Sequence, residues 1–141
     1  MKRDNAGEGE QRGSMQWCGR LWLAGKEGTF LGYGRVVLLA RIAEYGSIAR
    51  AAKSMEMSYK HAWDLVDSMN RQAPCKLVET SRGGRRGGGA LLTPAGEKAV
   101  GIFWEYYEKF QKVLAEMSHE MIADFPKMSG LSTDEGGEGK C

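Results

Sequence analysis

The sequence predicts a mainly α fold with small β elements, a winged helix-turn-helix followed by one long C-terminal helix, and three features predict it. Residues 47–66 read as two short helices joined by a tight turn, the second opening on polar and basic side chains. Residues 81–89 are almost wholly arginine and glycine, a loop set between two short apolar runs. From Val100 to Met121, apolar residues recur at alternating spacings of three and four, the period of a helix lying along a partner.

At 141 residues the chain has room for one core plus tails. The expected organisation is a disordered tail over 1–17, a winged helix-turn-helix over 18–93, a long helix over 94–123 and a polar tail over 124–141. The net charge of +2 is small, but its distribution is uneven. Residues 46–93 carry eight basic side chains (Arg50, Lys53, Lys60, Arg71, Lys76, Arg82, Arg85, Arg86) against four acidic ones. Positive potential gathered on one segment is what phosphate binding requires.

Cys18, Cys75 and Cys141 are unevenly spread and form no C-x-x-C pair, which argues against a disulfide framework and a zinc site and fits a reducing cytosol. The N-terminus runs from Lys2-Arg3 through Asp4 and Glu8 without an apolar stretch, so it does not read as a signal peptide. No run approaches the length of a membrane span, and a cytoplasmic protein is expected.

Leu21–Ala24 and Thr29–Leu31 flank Gly25-Lys26-Glu27-Gly28, which is turn chemistry, so a small β-hairpin is expected there. After Gly34, Leu38, Leu39, Ile42 and Tyr45 share one helical face, and Gly46 supplies the stop because glycine takes the left-handed conformation without strain. Ser47 is the natural N-cap of the next helix, where Ile48, Ala51, Ala52 and Met55 form the inward stripe. Ser58 caps a third helix over 58–72, with Ala62, Trp63, Val66 and Met69 inward. Pro74 ends it. Lys76–Thr80 and Ala90–Leu92 pair across the glycine-rich wing, and Thr93-Pro94 opens the last helix with Glu97 in its first turn.

Ser58-Tyr59-Lys60-His61-Ala62-Trp63-Asp64 then carries a resemblance. With Gly46-Ser47-Ile48, Met69-Asn70, Leu77-Val78-Glu79 and Gly87-Gly88-Gly89-Ala90-Leu91-Leu92-Thr93, it resembles the N-terminal DNA-binding domain of the molybdate-responsive ModE regulators, from about Arg35 to Gly96. A weaker similarity to the LysR-type winged helix follows from the same layout. The resemblance implies a transcription regulator, with molybdate or tungstate metabolism as the first expectation for its target genes. Full-length regulators of that family continue into β-rich domains that bind the oxyanion. The corresponding residues have no counterpart here, so a stand-alone DNA-binding version with no identified effector is expected, and no cofactor.

In a winged helix the N-terminal end of the recognition helix faces base edges in the major groove. Here that end is Ser58, Tyr59, Lys60 and His61. Lys60 suits guanine O6 or N7 or a phosphate, Ser58 a base edge or the backbone, and Tyr59 a phosphate or a thymine methyl. His61 either contacts phosphate or faces solvent, and Asp64 either accepts from cytosine N4 or is a solvated or ion-paired carboxylate. Arg82, Arg85 and Arg86 suit an adjacent minor groove or the backbone. Arg50 and Lys53, where the preceding helix crosses the backbone, are further phosphate candidates. Val100, Phe103, Tyr107, Phe110, Leu114, Met117 and Met121 are the candidate dimerisation stripe, the alternative being that the helix packs on its own domain. A homodimer would read an inverted repeat on double-stranded DNA. Two other classes stand beside this reading: a winged helix used as a protein-interaction module, and a non-specific architectural DNA binder. An enzyme is not expected, because His61 and His119 are remote in sequence and no nucleophile, carboxylate pair or metal-ligand spacing accompanies them.

Overall fold

The computed structural model describes residues 15–81 and 88–124. The chain divides into two compact units, a larger one of Leu21–Glu108 and a smaller one whose described residues are 15–20 and 109–124. The element order is β1 (Trp22–Gly25), β2 (Gly28–Gly32), α1 (Tyr33–Tyr45), α2 (Ile48–Ser54), α3 (Tyr59–Gln72), β3 (Val78–Ser81), β4 (Gly89–Leu92) and α4 (Pro94–Asp124).

The expected hairpin is present: β1 and β2 pair antiparallel, Trp22 opposite Gly32, with a register shift between Leu23 and Ala24. Helix α1 begins at Tyr33, ahead of the start expected after Gly34. Its buried face is Val36, Leu38, Leu39 and Ile42, while Tyr45 is exposed rather than inward. Tyr45 is the last residue before the chain leaves the helix at Gly46, whose φ of 70° and N–H bond to the Ile42 carbonyl at 2.8 Å are those of a left-handed cap.

Ser47 Oγ accepts from the Arg50 N–H at 3.1 Å and Ser58 Oγ from the His61 N–H at 3.0 Å, so both short helices of the motif carry the expected side-chain caps. Between them Glu56 adopts φ 56°, a left-handed conformation at a residue with a Cβ. Ala51 and Ala52 are buried, and their small side chains let α2 lie close to its neighbours. On α3, Ala62, Val66 and Met69 are buried as expected. Burying Val66 and Met69 contributes about 1.5–3 kcal/mol each. Trp63 is only half-buried, because it stands one residue round the helix from Ala62, at the edge of the buried stripe.

β3 and β4 pair antiparallel with Val78 opposite Leu92 and Ser81 opposite Gly89. β3 thus starts two residues later than the strand expected from Lys76, since Lys76 and Leu77 spend their carbonyls on Thr93: Thr93 Oγ1 donates to the Lys76 carbonyl at 2.7 Å and the Thr93 N–H to that of Leu77 at 2.9 Å. The same Oγ1 accepts from the Gly96 N–H at 3.0 Å, which caps α4.

Phe103 is buried in the core of the larger unit, with Val100, Trp104 and Tyr107 packed against it. Tyr33, Trp104 and Tyr107 form an aromatic cluster with centroids 5.3–5.5 Å apart. In the smaller unit the Trp17 N–H donates to Ser118 Oγ at 2.6 Å, and Gly19 stands against Phe110. Of the tail expected over 1–17, residues 1–14 lie outside the described residues, as do 125–141 of the C-terminal one. Cys75 is an exposed free thiol.

Candidate nucleic-acid interface

The start of α3 presents an exposed row of polar side chains on a helix whose opposite face is locked into the core. Ser58, Tyr59, Lys60 and His61 are all exposed, Tyr59 at 54%. Lys60 Nζ lies 3.0 Å from Asp64 Oδ2, one turn along. Both groups are largely in water, where such a helix pair contributes only about 0.3–0.5 kcal/mol. Breaking it to offer Lys60 to DNA therefore costs little. The Tyr59 hydroxyl is already engaged, accepting from Trp63 Nε1 at 2.6 Å.

Arg50 and Lys53 are exposed on α2. A groove of about 870 Å³ opens between the start of α2, the start of α3 and the wing-side ends of β3 and β4; Ser47, Tyr59, Trp63, Thr80, Ser81 and Gly89 line it. Arg82, Arg85 and Arg86, the candidate wing contacts, lie outside the described residues.

The strands from which that segment springs are held firmly. Asn70 on α3 accepts from the Leu77 and Val78 N–H groups at 2.8 and 3.2 Å and donates to the Val78 carbonyl at 3.0 Å. On the other strand, the Ala90 N–H donates to the Gly46 carbonyl at 3.0 Å. The wing root is thus tied both to α3 and to the turn that opens the motif.

The far end of α3 is clamped to the β1–β2 hairpin. Arg71 Nη2 lies 2.8 Å from Glu27 Oε1, and Arg71 also pairs with Asp67. Gln72 donates to the Thr29 carbonyl at 2.9 Å and accepts from the Glu27 N–H at 3.1 Å. Arg35 Nη1 donates to Ser68 Oγ at 3.0 Å. The hydrogen bond from Arg71 holds the Glu27 carboxyl below its ordinary range, and the same bond raises Arg71. Burial draws the Arg35 guanidinium downward. Arg71 counts toward the basic segment in sequence, but its charge is spent on Glu27 and Asp67.

The structure therefore brings Ser58, Tyr59, Lys60 and His61 together at one end of α3, with Arg50 and Lys53 on the preceding helix. It divides the seven residues of the long-helix stripe. Phe103 is buried in the core of the larger unit, and Val100 and Tyr107 pack against that core; Phe110, Leu114, Met117 and Met121 belong to the smaller one. Sequence reasoning missed three arrangements. The Tyr59–Trp63 bond has a signal in its i,i+4 spacing, which puts the two on one face. Asn70 and the Glu27–Arg71 clamp link residues with no such local signature. Among the described residues no cluster of three His, Cys, Asp or Glu side chains is placed to hold a metal, and no helix is long and apolar enough to cross a membrane.

A capped pair of short helices, a two-stranded hairpin behind them and an exposed polar start to the second helix define a winged helix-turn-helix DNA-binding domain. Residues 34–97 match the model of the bacterial regulatory helix-turn-helix proteins of the lysR family. The chain is similar to ModE regulators and a related molybdenum-pterin-binding protein. It is 40% identical over 108 residues to the molybdenum transport protein ModE of Azotobacter vinelandii, covering 77% of this chain and 40% of that protein. It is 38% identical over 107 residues to the molybdenum-pterin-binding protein MopB of Rhodobacter capsulatus, covering 76% and 40%. Against the DNA-binding transcriptional dual regulator ModE of Escherichia coli K12 it is 44% identical over 69 residues, covering 49% and 26%. The chain thus spans less than half the length of each of these relatives.

Proposed function

We propose that this chain is a sequence-specific, DNA-binding transcription regulator that acts as a homodimer on an inverted repeat. The observation that carries this reading is the exposed Ser58–His61 end of a helix whose other face, Ala62, Val66 and Met69, is fully buried. That end enters the major groove, and the segment over 81–89, with Arg82, Arg85 and Arg86, lies along the adjacent minor groove or backbone. Two copies joined along α4 set their half-sites about 34 Å apart or a multiple of that. The names of its relatives connect the regulator with molybdenum, so genes of molybdate or tungstate handling are the first targets to examine.

The test is to capture fragments of the host genome on the purified protein at near-physiological salt and sequence them. Enrichment of an inverted repeat supports the reading. Retention without a shared motif replaces it with non-specific DNA coating, and no retention replaces it with an interaction module. Lys60→Ala combined with Arg85→Ala should weaken binding and flatten its salt dependence, each lost phosphate contact reducing the slope by about one.

A further inference from the structure

Tyr59 and Trp63 stand one turn apart on α3, and the Trp63 Nε1–H donates to the Tyr59 hydroxyl at 2.6 Å. Chemistry fixes the direction of this bond. An indole N–H can only donate, so the phenol oxygen is the acceptor and its own proton points elsewhere. Trp63 is half-buried with its ring packed against the core, whereas Tyr59 is 54% exposed. One end of the pair is therefore anchored and the other offered to the surface. A lone phenol exchanges donor and acceptor roles with water. One that already accepts is left as a donor, is polarised to donate more strongly, and has less rotational freedom to lose on binding.

We propose that Trp63 is a positioning residue that commits the Tyr59 hydroxyl to donating to a phosphate oxygen of the DNA strand passing between α3 and the β3–β4 hairpin. This rests on the DNA-binding reading above. A phosphate is the acceptor because of where the hydroxyl stands. Tyr59 and Trp63 form one wall of the groove between the start of α3 and the root of the hairpin, and Thr80 and Ser81 are on the other. With α3 in the major groove and the hairpin on the adjacent minor groove, the sugar–phosphate ridge separating the two grooves fills that space. Hydroxyls on both walls are the neutral donors that phosphate oxygens accept from.

The test measures binding of wild type, Tyr59→Phe, Trp63→Phe and the double variant to two fluorescein-labelled duplexes, one of mixed sequence and one recovered by genomic capture. Tyr59→Phe should weaken binding about tenfold on both duplexes, the size expected for a hydrogen bond to a charged group. Trp63→Phe, which keeps an aromatic ring, should weaken it about threefold and add nothing when Tyr59 is already Phe. A Trp63→Phe loss that persists without the hydroxyl overturns the positioning role, as packing alone would then explain it. A Tyr59→Phe loss confined to the captured sequence overturns the phosphate and assigns a base edge. Tyr59→Phe binding as tightly as wild type sinks the proposal and leaves DNA binding intact, whereas wild type binding neither duplex removes both. Without DNA, the Trp63 indole N–H resonance should move in Tyr59→Phe; an unmoved resonance overturns the bond itself.

Discussion

Asn70 and Val78 are joined by a two-way pair of hydrogen bonds, side chain to backbone: the Val78 N–H donates to Asn70 Oδ1 at 3.2 Å, and Asn70 Nδ2 donates to the Val78 carbonyl at 3.0 Å. Asn70 Oδ1 takes a second bond from the Leu77 N–H at 2.8 Å. A side-chain amide here stands in for a strand neighbour, satisfying the start of β3, whose one strand partner among the described residues is β4.

Replacing Asn70 with Ala leaves those backbone groups short of partners in a part-buried place. Each such group costs about 1–3 kcal/mol, so a loss of about 2–4 kcal/mol is expected in chemical denaturation. Asn70→Asp should fall in the same range. It keeps the acceptor but sets a carboxylate oxygen against the Val78 carbonyl. Stability within 0.5 kcal/mol of wild type for both variants, an effect as small as about that of an ordinary surface change, would show the bracket to be dispensable.

Gly96 is the close-approach point between α4 and the strand root. A Cβ there would drive into the Leu77 carbonyl oxygen, which is backbone and has no flexible end to yield. Gly96→Ala is expected to destabilise by about 2 kcal/mol or more, at the upper end of overpacking costs. Gly34→Ala is the control. Nothing lies within 4 Å of its would-be Cβ, and a helical alanine there should be neutral or stabilising by up to about 1 kcal/mol.

Much of the frame was legible in sequence, because the signals concerned are local. Ser47, Ser58 and Gly46 announce caps whose chemistry is set within three residues, and the Ala51–Ala52, Val66 and Met69 spacings give the buried faces. The long-range ties were not legible. Glu27 and Arg71 are 44 residues apart, and nothing in either neighbourhood says they meet. The strained turn at Glu56 was missed for the opposite reason, since left-handed backbone is anticipated where glycine stands and not at a glutamate. At the candidate interface the residue types and their helix were readable, but not that Tyr59 is held by Trp63, because Trp63 looks like a core residue by its stripe.

The Glu27–Arg71 clamp makes the hairpin's hold on α3 sensitive to acid. Arg71 lowers the Glu27 carboxyl in the folded chain, so the pair's contribution to stability is complete above the ordinary carboxylate value of about 4.3. It is lost as pH falls below that value and through the lowered one. Glu27→Gln removes this dependence. The stability difference between wild type and Glu27→Gln should thus be constant from pH 6 to 8, above about two units from the carboxylate value, and shrink as the solution is acidified below pH of about 4. A difference that grows on acidification would give the linkage the wrong sign and exclude the clamp as its source.

The dimer proposal can be tested without disturbing the winged helix. Phe103 is buried in the larger unit's core, so changing it would confound assembly with folding. Met117 and Met121 continue the same stripe in the smaller unit, and Met117 is 40% exposed in the single chain. Charges at both positions cost the isolated chain little but place four carboxylates in a symmetric helix pair. Met117→Glu with Met121→Glu is expected to raise the dimer dissociation constant by at least about a hundredfold, since each buried methionine contributes about 1.5–3 kcal/mol and each 1.4 kcal/mol is tenfold. Sedimentation equilibrium reads the change directly, and the unfolding temperature of the variant should match that of wild-type monomer. The variant should also bind a single half-site as well as wild type does while losing its preference for the full inverted repeat, because only the linkage between two recognition helices is gone. If wild type itself sediments as a monomer at concentrations where it saturates DNA, α4 is not a dimerisation helix and the inverted-repeat geometry falls with it.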